Sequence, residues 1–286
     1  MCIRFLKMIH NKCRNVVYPH SSIERFKVKD HQISWEVKYP EYKPINYTSE
    51  FILNEPWADP KIEDPCFEPN WNSLDGAVNR RSYMGDYVIN EHGYPLNPVG
   101  RTGIAGRGDL GRWGPNHAAD PIVTRWKRNN ENMLVKDETT NKPILQFVAI
   151  QRKDCNEWAL PGGMVDIGEK VSATLKREFM EEAMNLLGRS FSTRREVEES
   201  INLNFTNGID IFKGYVDDPR NTDNAWIETV AQNFHDADNN TFGQLPLAAG
   251  DDACNVKWMN ADSKICLYAS HSLFIEKTVQ IHDAHW

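Results

Sequence analysis

The six cysteines, Cys2, Cys13, Cys66, Cys155, Cys254 and Cys266, include no C-x-x-C pair and no cysteine–histidine spacing of the zinc-finger kind. That absence excludes a structural zinc module built on such pairs. Scattered thiols in a chain of 286 residues also speak against a disulfide framework and for a reducing compartment. The glycosylation match Asn46-Tyr47-Thr48 is then a chance occurrence. Positive charge is in deficit, with 33 Lys and Arg against 40 Asp and Glu and a formal charge of −7. A surface devoted to nucleic-acid backbone needs a basic footprint, so no nucleic-acid partner is expected. No apolar run approaches a membrane span, and no membrane partner is expected either. Internal repeats and low-complexity tracts are also missing.

Acidic residues are absent from the first 23 positions, Glu24 being the first. Arg4, Lys7, Lys12 and Arg14 alternate there with Ile3, Phe5, Leu6, Met8 and Ile9. Residues 1–23 therefore read either as an organelle transit peptide or as a disordered basic tail, and the address as mitochondrial or cytoplasmic. Residues 24–120 are rich in Pro, Gly, Trp and Tyr and read as a loop- and strand-rich accessory domain. Within them, Ile33-Ser34-Trp35-Glu36-Val37-Lys38-Tyr39 alternates like a half-buried strand.

Residues 121–286 carry cleaner signals and read as a catalytic domain. Ile144–Ile150 predicts a buried strand, Lys153–Asn156 a turn, and Trp158-Ala159-Leu160 a short strand stopped by Pro161-Gly162-Gly163. A helix is predicted from about Lys170 to Leu187, with Val171, Leu175, Phe179, Ala183 and Leu186 on one stripe and Gly188 as its stop. Further strands are expected at Ile209–Val216 and Val256–Trp258, and a helix at His271–Ile281. Strands mixed with helices on both faces define the α/β class, here an α/β/α sandwich.

The most informative pattern is Gly163-x5-Glu169-x7-Arg177-Glu178-Phe179-x-Glu181-Glu182. Glu178, Glu181 and Glu182 stand at i, i+3 and i+4, so one helical face gathers three carboxylates. At about 100° per residue that face borders the apolar stripe, which predicts partial desolvation. Like charges this close repel unless a cation sits among them, and Mg²⁺ suits a few carboxylates plus phosphate oxygens. Arg177 is placed to orient Glu169 or Glu178 through a bidentate pair. A lone E-x-x-E-E is usually solvated surface; the Pro-Gly-Gly turn and Gly168-Glu169 ahead of this one reverse that judgement.

Two other segments bear on the ligand. Gly103–Pro121 is dense in glycine, with Arg101, Arg107 and Arg112 among or beside it; it lacks the Gly-Lys-Ser/Thr of a P-loop and reads as a structural loop or a phosphate-approach loop. Tyr215–Trp226 packs Asp217, Asp218, Asp223 and Arg220 into a turn-prone stretch, suited to ribose and phosphate or to a simple Asp218–Arg220 ion pair.

Residues 163–182 resemble the Nudix box, GX5EX7REUXEEXGU, departing from it only afterwards, where Met184 stands for Gly and Asn185 for an apolar residue. Arg112–Pro121, Val165-Asp166-x-Gly168-Glu169, Asp217–Trp226, Ala249-Gly250-Asp251-Asp252-Ala253 and Leu267–His271 extend the resemblance, from about Tyr39 to Trp286, to the mitochondrial-type ADP-ribose pyrophosphatases of the Nudix superfamily. They also echo the ADP-ribose-sensing domain fused to a melastatin-type cation channel. The resemblance implies a Nudix α/β/α sandwich with a mixed sheet. It further implies Mg²⁺-dependent hydrolysis of ADP-ribose to AMP and ribose 5-phosphate by a monomer, with Mn²⁺ able to substitute. Glu169, Glu178, Glu181 and Glu182 would carry metal, and Arg177 with the last three would be catalytic. His117, Asp120, Arg152, Gly162, Gly163, Asp218, Arg220, Tyr268, Ser270 and His271 would bind substrate. A sensor that does not hydrolyse, or a hydrolase of another nucleoside diphosphate derivative, is the alternative; the intact Glu178-Phe179 favours catalysis.

Overall fold

Arg101 explains why the alternation at Ile33–Tyr39 does not become a strand. In the computed structural model, which describes residues 10–184, 199, 201–202, 205–244, 247–250 and 252–286, this arginine is buried. Its Nη1 donates to the carbonyls of Gln32 (2.8 Å) and Ser34 (2.5 Å), and its Nη2 to that of Val37 (3.0 Å). Carbonyls turned toward one guanidinium cannot pair in a ladder, so residues 33–39 form turns and bends. Trp35, Tyr39 and Tyr42 surround the same guanidinium with their rings, at 4.9, 5.9 and 5.3 Å.

Two compact units divide the chain. The first comprises residues 1–117, 166–168 and 214–228. It holds β1 (Ile45–Thr48), the small antiparallel pair β2 (Leu74–Asp75) and β3 (Val78–Asn79), and β4 (Ile104–Gly108), which runs parallel to β1. The glycines of residues 103–114 are structural. Gly106 has φ +88°, and a Cβ there would lie 2.2 Å from the Tyr47 carbonyl oxygen, so only glycine lets β4 lie against β1. The interspersed arginines are also engaged inside this unit. Arg107 is buried with Nη1 on the Gly111 carbonyl (2.7 Å), and Arg112 donates to Asp59 (2.8 Å).

From residue 10 onward the basic N-terminal stretch is no loose tail. His10, Cys13, Arg14 and Tyr18 are buried in the first unit. The Asp217 carboxylate accepts the backbone N–H groups of Asn11 (2.7 Å), Lys12 (2.9 Å) and Cys13 (3.3 Å). His10 bridges the Tyr215 hydroxyl (3.0 Å) and the Arg101 carbonyl (2.8 Å). Burial pushes the His10 imidazole down from 6.5 to about 4, so the folded state holds it neutral. A lowered histidine gives stability that is complete above its unfolded value and falls as the unfolded chain takes up the proton. Between about pH 7 and about pH 5 the protein is expected to lose about 2 kcal/mol through this group. Urea midpoints should show that loss in the parent and a flatter pH slope in His10→Gln; equal slopes would refute it.

The second unit comprises residues 118–165, 169–213 and 229–286. Its strands belong to a seven-stranded sheet. The strands are β5 (Gly114–Trp126), β6 (Leu145–Arg152), β7 (Trp158–Ala159), β8 (Gly163–Met164), β9 (Ile209–Tyr215), β10 (Ala225–Asp236) and β11 (Ala253–Asn260). The order is β11-β6-β5-β10-β9, with β7 on β6 and β8 on β5. Among the described residues, α1 (Val171–Glu178) and α2 (His271–Ile281) flank it.

Alternation along the strands puts the helices on opposite faces. Val123, Val148 and Phe234 pack in one cluster with Leu175 and Phe179. Asn233, the neighbour of Phe234 on β10, points the other way and accepts from His282 at the end of α2 (2.7 Å). The α/β/α expectation thus holds. Among the described residues no helix is long and apolar enough to cross a membrane.

The carboxylate helix departs from expectation. After Glu178 it widens into a π-helical turn, Phe179–Ala183, that ends at Met184. The predicted continuation to Leu187, with Leu186 and the Gly188 stop, lies outside the described residues.

Candidate active site

Register brings the first pieces of the site together. β8 pairs with β5 as Ala118↔Met164 and Ala119↔Gly163, which sets Gly162 beside Asp120. A Cβ on Gly162 would lie 2.2 Å from Asp120 Oδ1, and one on Gly163 would lie 2.5 Å from Glu178 Oε1. A side chain at either position would displace a site carboxylate, so these glycines leave the room in which Asp120 and Glu178 stand.

One guanidinium organises the acidic cluster. Arg177 grips Glu169 with Nε (3.1 Å to Oε1) and Nη2 (3.0 Å to Oε2), the bidentate pair expected from the spacing. Its Nη1 reaches Glu178 (2.8 Å) and Glu181 (3.2 Å), and Nη2 also donates to the Met164 carbonyl (3.0 Å). Thr174, fully buried in α1, donates its hydroxyl to Glu169 Oε2 (2.8 Å).

Glu182 stands apart from Arg177 and accepts from the Gly162 N–H (2.9 Å). Glu178 and Glu182 are 6% and 8% exposed, so desolvation is the dominant influence on both. It raises Glu178 to about 7, against the lowering effect of Arg177, and Glu182 to about 8, against the Gly162 N–H. Neighbouring acids add to the rise, Glu181 and Asp120 for Glu178, and Glu178 and Asp252 for Glu182.

Among the described residues no three Asp, Glu, His or Cys side chains converge as a ready ligand set. The donors nevertheless fit a hard divalent cation. All are carboxylate oxygens, three of them already surround one cationic group, and the two most buried, Glu178 and Glu182, are raised by desolvation that a bound cation would offset.

The other candidates of the second unit form a neighbouring group. Asp120 is buried, with Oδ2 accepting from Thr229 (2.6 Å) and Oδ1 lying 3.7 Å from His271 Nε2. The Leu160 N–H donates to His271 Nδ1 (2.9 Å), which fixes the proton of a neutral His271 on Nε2, facing Asp120. Tyr268 anchors the start of α2 through its N–H on the Trp158 carbonyl (2.8 Å), and the Arg152 guanidinium lies 4.3 Å over its ring. Arg152 is itself held by a fork onto Asp154 (2.9 and 2.6 Å). Ser270 is the N-cap residue of α2, contributing its carbonyl to the Leu273 N–H and no side-chain cap.

Three candidates belong to the first unit. His117 Nε2 meets the Arg81 carbonyl (2.9 Å), with the Tyr83 ring 4.8 Å away. Arg220 forks onto Asp218 (2.9 Å twice), the ion pair anticipated for that turn. Asp217 and Asp223, which looked suited to ribose, instead bind backbone and side chains of their own unit. Asp223 accepts from the Thr102 N–H and hydroxyl (2.7 and 2.9 Å) and from the Tyr42 hydroxyl.

Sequence reasoning missed Thr174, Asp154 and the role of Gly250. The first two are local partners at i+5 and i+2 of residues already singled out, and only geometry shows that they point back. Gly250 touches the helix across some 70 residues of chain, a distance no local pattern crosses.

A seven-stranded sheet with a helix on each face, and a box of carboxylates on one of them, is the architecture of a pyrophosphate-bond hydrolase of the Nudix kind. Residues 132–276 match the NUDIX domain and residues 28–114 match a domain described as NUDT9-like, N-terminal. The chain belongs to the Nudix family and is a Nudix hydrolase. It is 54% identical over 97% of its length to the mitochondrial ADP-ribose pyrophosphatase of Rattus norvegicus, covering 79% of that protein. It is 46% identical over 97% of its length to putative nudix hydrolase 6 of Caenorhabditis elegans, covering 99% of it. A third relative, transient receptor potential cation channel subfamily M member-like 2 of Nematostella vectensis, is 50% identical over 98% of this chain, which spans 18% of that channel. Nudix hydrolases in general use a divalent metal ion.

Proposed function

We propose that the chain hydrolyses ADP-ribose to AMP and ribose 5-phosphate with Mg²⁺, which Mn²⁺ can replace. The observation that carries this reading is the cluster of Glu169, Glu178 and Glu181 around Arg177, with Glu182 on the Gly162 N–H, intact in a chain 54% identical to an ADP-ribose pyrophosphatase. These four glutamates would hold the ion, which when bound neutralises charge on the diphosphate oxygens. Glu178 and Glu182, both with raised proton affinity, are suited to take a proton from the attacking water. Arg177 keeps Glu169, Glu178 and Glu181 in one orientation. Asp120, His271, Tyr268, Ser270, Arg152 and the closely packed Gly162 and Gly163 would receive the substrate. His117, Asp218 and Arg220 are assigned to the substrate on the resemblance alone. An organelle leader fits this reading, and the rat relative's name is mitochondrial. Such a leader would end before His10, since His10, Cys13, Arg14 and Tyr18 are buried in the folded unit.

Incubation with ADP-ribose and Mg²⁺, with products separated by chromatography, is expected to give AMP and ribose 5-phosphate in equal amounts and none in EDTA. Tight binding of ADP-ribose without AMP would sink hydrolysis in favour of sensing, and faster cleavage of NADH or a sugar nucleotide would sink the substrate.

A further inference from the structure

The π-helical turn Phe179–Ala183 carries Glu181 and Glu182, and its last two carbonyls take donors from outside the helix. A segment far away in sequence supplies them. The Ala248 N–H donates to the Ala183 carbonyl (2.9 Å) and the Gly250 N–H to the Glu182 carbonyl (3.1 Å). Glu182 is thereby held at both ends, its backbone by Gly250 and its carboxylate by Gly162.

The approach at Gly250 leaves no room for a side chain. A Cβ there would stand 1.8 Å from the Glu181 carbonyl oxygen, 2.7 Å from its carbon and 3.0 Å from the Glu182 Cα, all backbone atoms that cannot swing aside as a flexible side chain would. Adding one methyl must therefore drive residues 181–182 and the 248–250 segment apart. A ligand set for a small divalent ion tolerates displacements of only a few tenths of an ångström.

We infer that Gly250 is a positioning residue for the metal-binding carboxylates, its bare backbone serving as the buttress that sets where Glu181 and Glu182 stand. The inference rests on the reading of those glutamates as divalent-cation ligands. It does not depend on ADP-ribose being the substrate.

Gly250→Ala in the full chain is the direct test. Its Mn²⁺ affinity, read by electron paramagnetic resonance titration without substrate, is expected to fall about tenfold or more, as when a ligand loses its support. With ADP-ribose, kcat should fall while KM stays within about threefold of the parent. The gain in Tm that Mn²⁺ confers over EDTA should shrink as well. Parent-like Mn²⁺ affinity in Gly250→Ala overturns the inference whatever the activity does. If the parent fails to cleave ADP-ribose but the variant still loses Mn²⁺ affinity, the substrate proposal falls and this one stands. Should the variant not fold, amide exchange in the parent decides. Mg²⁺ is expected to slow exchange of the 247–250 segment and to leave the exposed 137–141 turn unchanged. Equal exchange with and without Mg²⁺ at 247–250 overturns the inference.

Discussion

Glu178→Gln should lower kcat for ADP-ribose by a factor on the order of a hundred or more, while the ligand's Kd changes by less than about threefold. The glutamine fills the same volume, so the close approach of Gly163 is undisturbed. Its amide oxygen can still accept from Arg177 Nη1, the 2.8 Å contact of the parent. What disappears is the negative charge and the capacity to hold a proton. Both matter here because burial has already raised this carboxyl to about 7, where charged and neutral forms are close in free energy. The chemistry of a divalent site needs the charged form, which an amide cannot provide. Single-turnover assays with isothermal titration of ADP-ribose separate the two quantities. Parent-like turnover would remove Glu178 from the catalytic set, and a lost Kd would make it a residue of substrate binding instead.

The sequence made the second unit largely readable because its elements bury one stripe or one face. Leu145–Arg152 and His271–Ile281 follow their hydrophobic patterns, and the observed bounds lie within a few residues of the predicted ones. The long strands Gly114–Trp126 and Ala225–Asp236 were not legible as strands. One is seeded with glycine and proline, and the other alternates buried Glu228, Thr229 and Asn233 with apolar residues, so neither shows a polar face.

In the first unit, regular pattern is a poor guide because buried ions, more than ladders, direct the chain. The carbonyls of residues 32–37 serve Arg101, and the N–H groups of residues 11–13 serve Asp217. The site divides along the same line. Spacing alone placed Glu169, Arg177 and Glu178 together, since α1 is a regular helix that far. It could not foresee the π turn that follows. That turn receives the Ala248 and Gly250 N–H groups on its Ala183 and Glu182 carbonyls, donors that lie far away along the chain.

A comparable buried ion sustains the first unit, and its removal is expected to be among the most damaging single changes to stability. Asp59 is 2% exposed at its side chain. It accepts from Arg80 Nη1 (2.7 Å) and Nη2 (3.0 Å), from Arg112 Nη1 (2.8 Å) and from the Trp113 N–H (2.9 Å). Burial on its own would raise this carboxyl, but the two guanidiniums outweigh it and hold the group below the ordinary carboxylate range. Asp59→Ala leaves two cations in a dry environment with one acid, Asp75, still bound to Arg80 at 2.8 Å. Breaking such a network from one side costs about 3–5 kcal/mol, well above the worth of a surface pair. The sign with pH follows from the lowered carboxyl: its stability is complete above the unfolded value of about 3.9 and is lost as pH falls through the folded one. Urea unfolding followed by tryptophan fluorescence suits the test, because Trp113 sits on this network and donates its indole N–H to the Pro60 carbonyl (2.9 Å). A loss in Asp59→Ala below about 1 kcal/mol would mean that water or backbone carbonyls serve the two arginines equally well. The triple change Asp59→Leu, Arg80→Met, Arg112→Met should recover much of the loss, since an ion cluster removed whole leaves no unpaired charge.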